Sequence, residues 1–148
     1  MRKIIIGSDH AGFLMKEKVK KELGGEYEFV DVGTNSEESV DYPIYAEKVA
    51  NQVAVTPDMT GVLLCGNGVG MTIVANKVHG VRCALAYSVE TAKQGREHNN
   101  VNVLATAGRT SLKDNPVEIV RAFLETEFLG EERHDRRVKM ITDIEKRN

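Results

Sequence analysis

The chain has 148 residues, enough for one domain with a sizeable core and no need of disulfide or metal staples. Its 20 Lys and Arg against 22 Asp and Glu leave a formal net charge of −2, which excludes a general field for nucleic acid or an anionic membrane and confines any phosphate site to a local cluster. With two cysteines and neither a targeting segment nor a membrane-length apolar run, a reducing, cytoplasmic setting is expected.

The first predicted element is a strand near residues 3–7, where Lys3 is followed by the apolar run Ile4-Ile5-Ile6 that fits a strand buried on both faces. It runs into Gly7-Ser8-Asp9-His10-Ala11-Gly12. Met15, Val19 and Leu23 then recur at helical spacing, and a second strand is expected over 28–32. Asp41 before Tyr42-Pro43 marks a helix start near residue 42, with the acid near the N-cap and proline in the first turn. Tyr45, Ala46, Val49, Ala50 and Val53 supply that helix with an apolar stripe. The third strand, 61–65, ends in Cys65-Gly66-Asn67-Gly68-Val69-Gly70, and Met71 to Asn76 reads as the next helix. A fourth apolar run, 81–86, contains Cys83, which reads as a small buried thiol, with a disulfide to Cys65 as the formal alternative. A helical segment then closes on His98-Asn99-Asn100 before a fifth run at 101–106 and Gly108-Arg109. Two further helices are expected: 115–128, opened by Asn115-Pro116, and 134–146, with Val138, Ile141 and Ile144 on one side.

This alternation of strands and helices predicts an α/β fold: a three-layer α/β/α sandwich over 1–148, a Rossmann-like five-stranded parallel sheet with a C-terminal helix. Ligands bind such sheets beyond the carboxyl ends of the strands. Asp9-His10, the Cys65 loop and Arg109 fall at those ends, whereas His98-Asn99 joins them only if the preceding helix ends close by. Cys65, on a strand-to-helix turn, faces backbone N–H groups and a helix dipole that favour the thiolate, and the same amides can hold an oxyanion. Arg133 and Arg137 are four apart on one helix face and can grip a phosphate.

Each feature also has a plain structural reading. Asp9 can cap a helix, a single histidine can be structural, and the arginines beside Glu131, Glu132 and Asp135 can form a solvated face. An acid, two imidazoles, a thiol and an arginine converging from separate strand ends favour a reactive site. Glycines 66, 68 and 70 lack dinucleotide spacing, Gly12 is followed by Phe13-Leu14 and not by the Lys-Ser/Thr of a nucleotide loop, and no histidine or acid pair has zinc spacing. No cofactor and no metal are expected.

Taken together, Gly7 to Gly12, Asp31-Val32-Gly33-Thr34, Ser39 to Pro43, Cys65 to Gly70, Ala75-Asn76-Lys77, Arg96 to Asn99 and Arg133-His134 resemble ribose-5-phosphate isomerase type B. The wider group includes isomerases of allose 6-phosphate and galactose 6-phosphate. The resemblance implies a cofactor-free aldose–ketose isomerase in which Cys65 takes the C2 proton and His98 opens the sugar ring. It further implies that the amides of Gly66, Asn67, Gly68, Val69 and Gly70 hold the enediolate oxygen, and that Asp9, His10 and Asn99 orient hydroxyls. Arg109, Arg133 and Arg137 would bind the phosphate, and Tyr42 would line the pocket. Members are homodimers or dimers of dimers whose sites draw on both subunits. Two departures stand out: Asn67 where members usually carry Thr, and Glu131-Glu132 where they often carry two glycines. An isomerase of another sugar phosphate, a hexose or tetrose phosphate, and a non-catalytic sugar-phosphate sensor are the rival expectations.

Overall fold

The alternating apolar runs and amphipathic segments are realised as five strands and six helices in a computed structural model that describes residues 1–148. In chain order these are β1 (Arg2–Ser8), α1 (Phe13–Leu23), β2 (Tyr27–Asp31), α2 (Tyr42–Val55), β3 (Thr60–Cys65), α3 (Val69–Ala75), β4 (Cys83–Leu85), α4 (Val89–Asn99), β5 (Val103–Ala107), α5 (Pro116–Glu125) and α6 (Glu132–Lys146). All strand pairs are parallel, in the order β2-β1-β3-β5-β4. The register sets Ile6 opposite Val62, Val62 opposite Leu104 and Leu104 opposite Ala84.

Side chains alternate across the sheet and build two cores. Ile4, Ile6, Val62, Leu64 and Leu104 meet Val19 and Leu23 of α1, Ala92 of α4 and Ile119 and Phe123 of α5. Ile5, Leu63, Val103 and Ala105 meet Val49 and Val53 of α2 and Met71 and Ala75 of α3. Each fully buried side chain of this size contributes about 1.5–3 kcal/mol, so both faces of β1, β3 and β5 are firmly covered. The three-layer sandwich therefore stands as expected.

Some boundaries differ from the sequence reading. The fourth strand is only Cys83–Leu85, because β4 is an edge strand paired with β5 alone, and the Arg82 N–H turns to the Asn102 side chain at 2.8 Å. Helix α5 stops at Glu125, where Thr126 turns extended. Helix α6 buries His134 and Val138 against the body, yet Ile141 and Ile144 remain exposed.

The chain leaves β1 toward β2 on one side and β3 toward β4 on the other. The crevice for a ligand therefore lies between the carboxyl ends of β1 and β3.

Candidate functional site

At the carboxyl edge, three strand ends are laced together. The Gly12 N–H donates to Asp9 Oδ1 at 3.0 Å, closing a turn after β1. Gly12 presses so tightly on β3 that a Cβ there would sit 2.1 Å from the Leu64 carbonyl oxygen. After β5, the Gly108 N–H donates to Cys65 O at 2.8 Å, and those of Arg109 and Thr110 donate to Gly66 O at 3.0 and 3.1 Å. Asp9, His10, the Cys65 loop and the backbone of Arg109 are thus brought to one place. The Val40 N–H donates to His10 Nδ1 at 3.1 Å, which makes Nδ1 the acceptor and assigns the proton of the neutral ring to Nε2.

Cys65 is a free thiol, 6% exposed, at the end of β3. The loop after it is held by its own side chains. Asn67 Oδ1 accepts the Val69 N–H at 3.0 Å, and the Tyr87 hydroxyl donates to the Asn67 carbonyl. Gly68 caps α3 at φ +82°, where a Cβ would also strike Leu85 Cδ1 at 2.7 Å. The first intrahelical bond runs from the Thr72 N–H to Gly68 O, so the amides of Gly70 and Met71 have no acceptor within the helix. The Val69 amide, expected in the oxyanion cradle, is engaged by Asn67. Tyr42 packs over this turn: a Cβ on Gly70 would lie 2.4 Å from its ring.

The other expected residues lie elsewhere. Helix α4 starts at the carboxyl edge, where Ser88 Oγ accepts the Thr91 N–H at 3.1 Å. It ends at the amino edge, where Asn100 turns left-handed and Asn102 O accepts the N–H of Gly61 in β3. Its 11 residues span roughly 16 Å and carry His98 and Asn99 away from Cys65 of the same chain. The start of α6 docks there, with the Leu129 N–H donating to Glu97 O at 3.3 Å. The His98 and His134 rings stack at 4.5 Å between centroids and 15° between planes. Arg133 and Arg137 belong to this amino-edge cluster, Arg133 paired with Glu131 at 3.2 Å and Arg137 in no ion pair. Glu132 turns away to Arg136 at 2.6 Å.

One chain therefore gathers the expected residues in two clusters on opposite edges of the sheet. His134 is buried, and burial, then the nearby charges of Arg133, His98 and Arg137, hold its imidazole below the usual histidine range against the pull of Glu131. Asn99 faces a groove of about 740 Å³ between α3, β4, α4 and α6, lined also by Ile141, Ile144 and Cys83. Cys83, expected to be buried, is a free thiol of intermediate exposure because β4 is an edge strand, and burial of part of its side chain pushes the thiol up to about 12 despite a hydrogen bond with Thr72.

Sequence reasoning missed three features of these clusters: Tyr87, the Met71 amide and the His98–His134 stack. Tyr87 carries no local signal, since its role is a contact from another strand end. The Met71 amide follows from the helix starting at Val69, which the Asn67-Gly68 pair could have flagged. The stack depends on where α6 lands.

Comparison with known proteins adds an independent finding. A family model described as Ribose/Galactose Isomerase matches residues 4–141. The chain is 41% identical over 148 residues to ribose-5-phosphate isomerase B of Escherichia coli (strain K12), covering 99% of each. It superposes on the type B ribose 5-phosphate isomerase from Trypanosoma cruzi with a TM-score of 0.92 at 44% identity, covering 99% of this chain and 100% of that one. A Mycoplasma genitalium ribose-5-phosphate isomerase B with bound ribulose-5-phosphate aligns with a TM-score of 0.92 at 39% identity, covering 99% of this chain and 97% of that one.

Proposed function

The chain belongs to the ribose/galactose isomerase family and is an isomerase, and from this we propose that it interconverts ribose 5-phosphate and ribulose 5-phosphate at a site completed by a second copy. The observation that carries the proposal is the division of chemistry between the two edges. Cys65, Asp9, His10 and the open amides of α3 lie at one edge, and His98, Asn99, Arg133 and Arg137 at the other. Neither half alone suffices for isomerisation. A two-fold pairing that sets the carboxyl edge of one copy against the α4–α6 corner of its partner yields two complete sites. The apolar groove beside that corner, with Ile141 and Ile144 exposed, supports burial by another copy.

In such a site the furanose opens when His98 passes a proton to the ring oxygen while the anomeric hydroxyl gives its own to solvent water, from which His98 is reprotonated, leaving a C1 aldehyde. Cys65 Sγ then removes the C2 proton, and the electron pair moves through C1 onto the aldehyde oxygen, forming the enediolate. The Gly70 and Met71 amides hold that negative oxygen, a stabilisation that costs no reorganisation because the loop is fixed by Asn67 and Tyr87. Transfer of the O2 proton to O1 and return of the proton from Cys65 Sγ to C1 give the ketose and restore the thiolate. Asp9, His10 and Asn99 orient hydroxyls, Tyr42 walls the pocket, and Arg109 of one copy joins Arg133 and Arg137 of the other on the phosphate. The cytoplasm is the setting that suits this chemistry.

The test is ketose formation by purified protein from ribose 5-phosphate, allose 6-phosphate and erythrose 4-phosphate, beside Cys65→Ala. Turnover of ribose 5-phosphate that vanishes in Cys65→Ala is expected. A preference for another sugar would reassign the substrate, and saturable binding without turnover of any of the three would favour a sensor.

A further inference from the structure

His134 is a buried, titratable side chain to which the proposed reaction gives no task. It is 7% exposed, its Nε2 has no hydrogen-bond partner, and the Glu131 carboxylate stands off at 3.7 Å. Leaving such an atom unpaired is unfavourable, a cost that an apolar residue of the same size would avoid. The His98 side chain makes no hydrogen bond within the chain, so the His134 face, 4.5 Å away and 15° from parallel, is the specific contact that orients it. His134 is itself well placed to be rigid. It lies in the first turn of α6, its N–H donates to Glu131 O at 3.0 Å, and Val138, one turn on, is buried on the same face.

We propose that His134 is a positioning residue for ring opening: its flat face holds the His98 imidazole in the orientation from which His98 exchanges a proton with the sugar's ring oxygen. This rests on the role given to His98 above. The charged groups around His134 fit that task. Arg133 and Arg137 on α6 and His98 on α4 oppose its protonation, and only Glu131 favours it, so the ring under His98 stays neutral and adds no repulsion to a proton there.

The experiment separates ring opening from proton abstraction. Ribose 5-phosphate closes to a furanose and must be opened. Ribulose 5-phosphate cannot form a furanose because its O5 carries the phosphate, so exchange of its C1 hydrogen with solvent needs only the base and the enediolate. Full-length His134→Ala, His134→Leu and His134→Phe are compared with His98→Ala and Cys65→Ala. Two rates are measured in D2O, conversion of ribose 5-phosphate and deuterium entry at C1 of ribulose 5-phosphate, with thermal unfolding as a check of folding.

His134→Ala is expected to lower conversion on the order of tenfold, part of the roughly 100-fold or more that general acid–base catalysis supplies, while deuterium entry stays near wild type. His134→Leu, which fills the space without a flat face, is expected to match it, and His134→Phe to recover conversion to within a few-fold. Equal loss of both rates, or loss of neither, would overturn the proposal, as would a His134→Leu enzyme as active as His134→Phe. A His98→Ala enzyme with undiminished conversion would sink the role of His98 and this inference with it. Unimpaired deuterium entry in Cys65→Ala would instead refute the assignment of the base.

Discussion

Because Cys65 and His98 lie at opposite edges of one sheet, two inactive variants should restore each other. In a dimer of one Cys65→Ala chain and one His98→Ala chain, one site receives both lesions and the other receives the intact Cys65 of one copy and the intact His98 of its partner. Random pairing of equal amounts makes about half of the dimers mixed, each with one wild-type site of two, so about one quarter of wild-type activity should return. The assay is ribose 5-phosphate turnover after co-refolding the two variants, titrated over mixing ratios. Activity should follow the product of the two fractions, be maximal at equal amounts and leave KM unchanged, since the surviving sites are wild type. If a single chain supplied both residues, every site in the mixture would carry a lesion and activity would stay at the level of the parents. A flat response across ratios, with mixed dimers verified by mass, would refute the shared site.

Glu131 pairs with Arg133 at 3.2 Å, so in the proposed site it would compete with the substrate phosphate for that guanidinium. Glu131→Gln should lower the KM for ribose 5-phosphate by about two- to fivefold, the worth of an exposed pair, with kcat little changed; an unchanged or higher KM counts against the competition. Gly12→Ala should cost about 1–3 kcal/mol in urea unfolding and most of the activity, because its Cβ would meet Leu64 O at 2.1 Å and lift Asp9 and His10 off β3. Gly25→Ala, with nothing within 4 Å of the added methyl group, is the control that should stay near wild type. Burial works against the Asp31 carboxylate, but bonds from Lys16, Lys20 and the Gly33 N–H overcome it and hold the carboxyl below its usual range. A depressed acid stabilises the fold above its unfolded value of about 3.9, and the contribution is lost as pH falls through the folded value. Asp31→Asn should therefore be less stable at pH 7 by about 3 kcal/mol, since buried Lys16 loses its counter-ion, and the deficit should shrink in strongly acidic urea titrations. A deficit independent of pH would mean that lost packing, not charge, is responsible.

The fold was legible because its main signals are hydrophobic. Predominantly apolar runs at 3–7, 61–65 and 101–106 mark strands covered on both faces, and these are the three central strands. The fourth run misled at its ends for the same reason: hydropathy reports burial, and Val81 and Ala86 are buried without lying in the edge strand. Lys16 shows the opposite failure. It lies outside the predicted stripe of Met15, Val19 and Leu23, yet it is almost fully buried, and Asp31, at the end of the next strand, reaches it at 2.7 Å. Nothing local to either residue announces the pair.

The candidate site was legible in composition but not in arrangement. Asp9, His10 and Cys65 could be placed together because a strand's carboxyl end is fixed by chain direction alone. His98 could not, because its position depends on which way α4 runs from β4 to β5. A right-handed crossover between adjacent parallel strands must return the chain to the amino edge before β5 begins, so a residue at the end of α4 lands far from any strand's carboxyl end. With β4 and β5 read as parallel neighbours, that rule alone would have split the constellation in two. Arg133, His134 and Arg137 follow His98 to that corner because α6 docks on the end of α4, a tertiary contact made by the His98–His134 stack and the Leu129 N–H on Glu97 O.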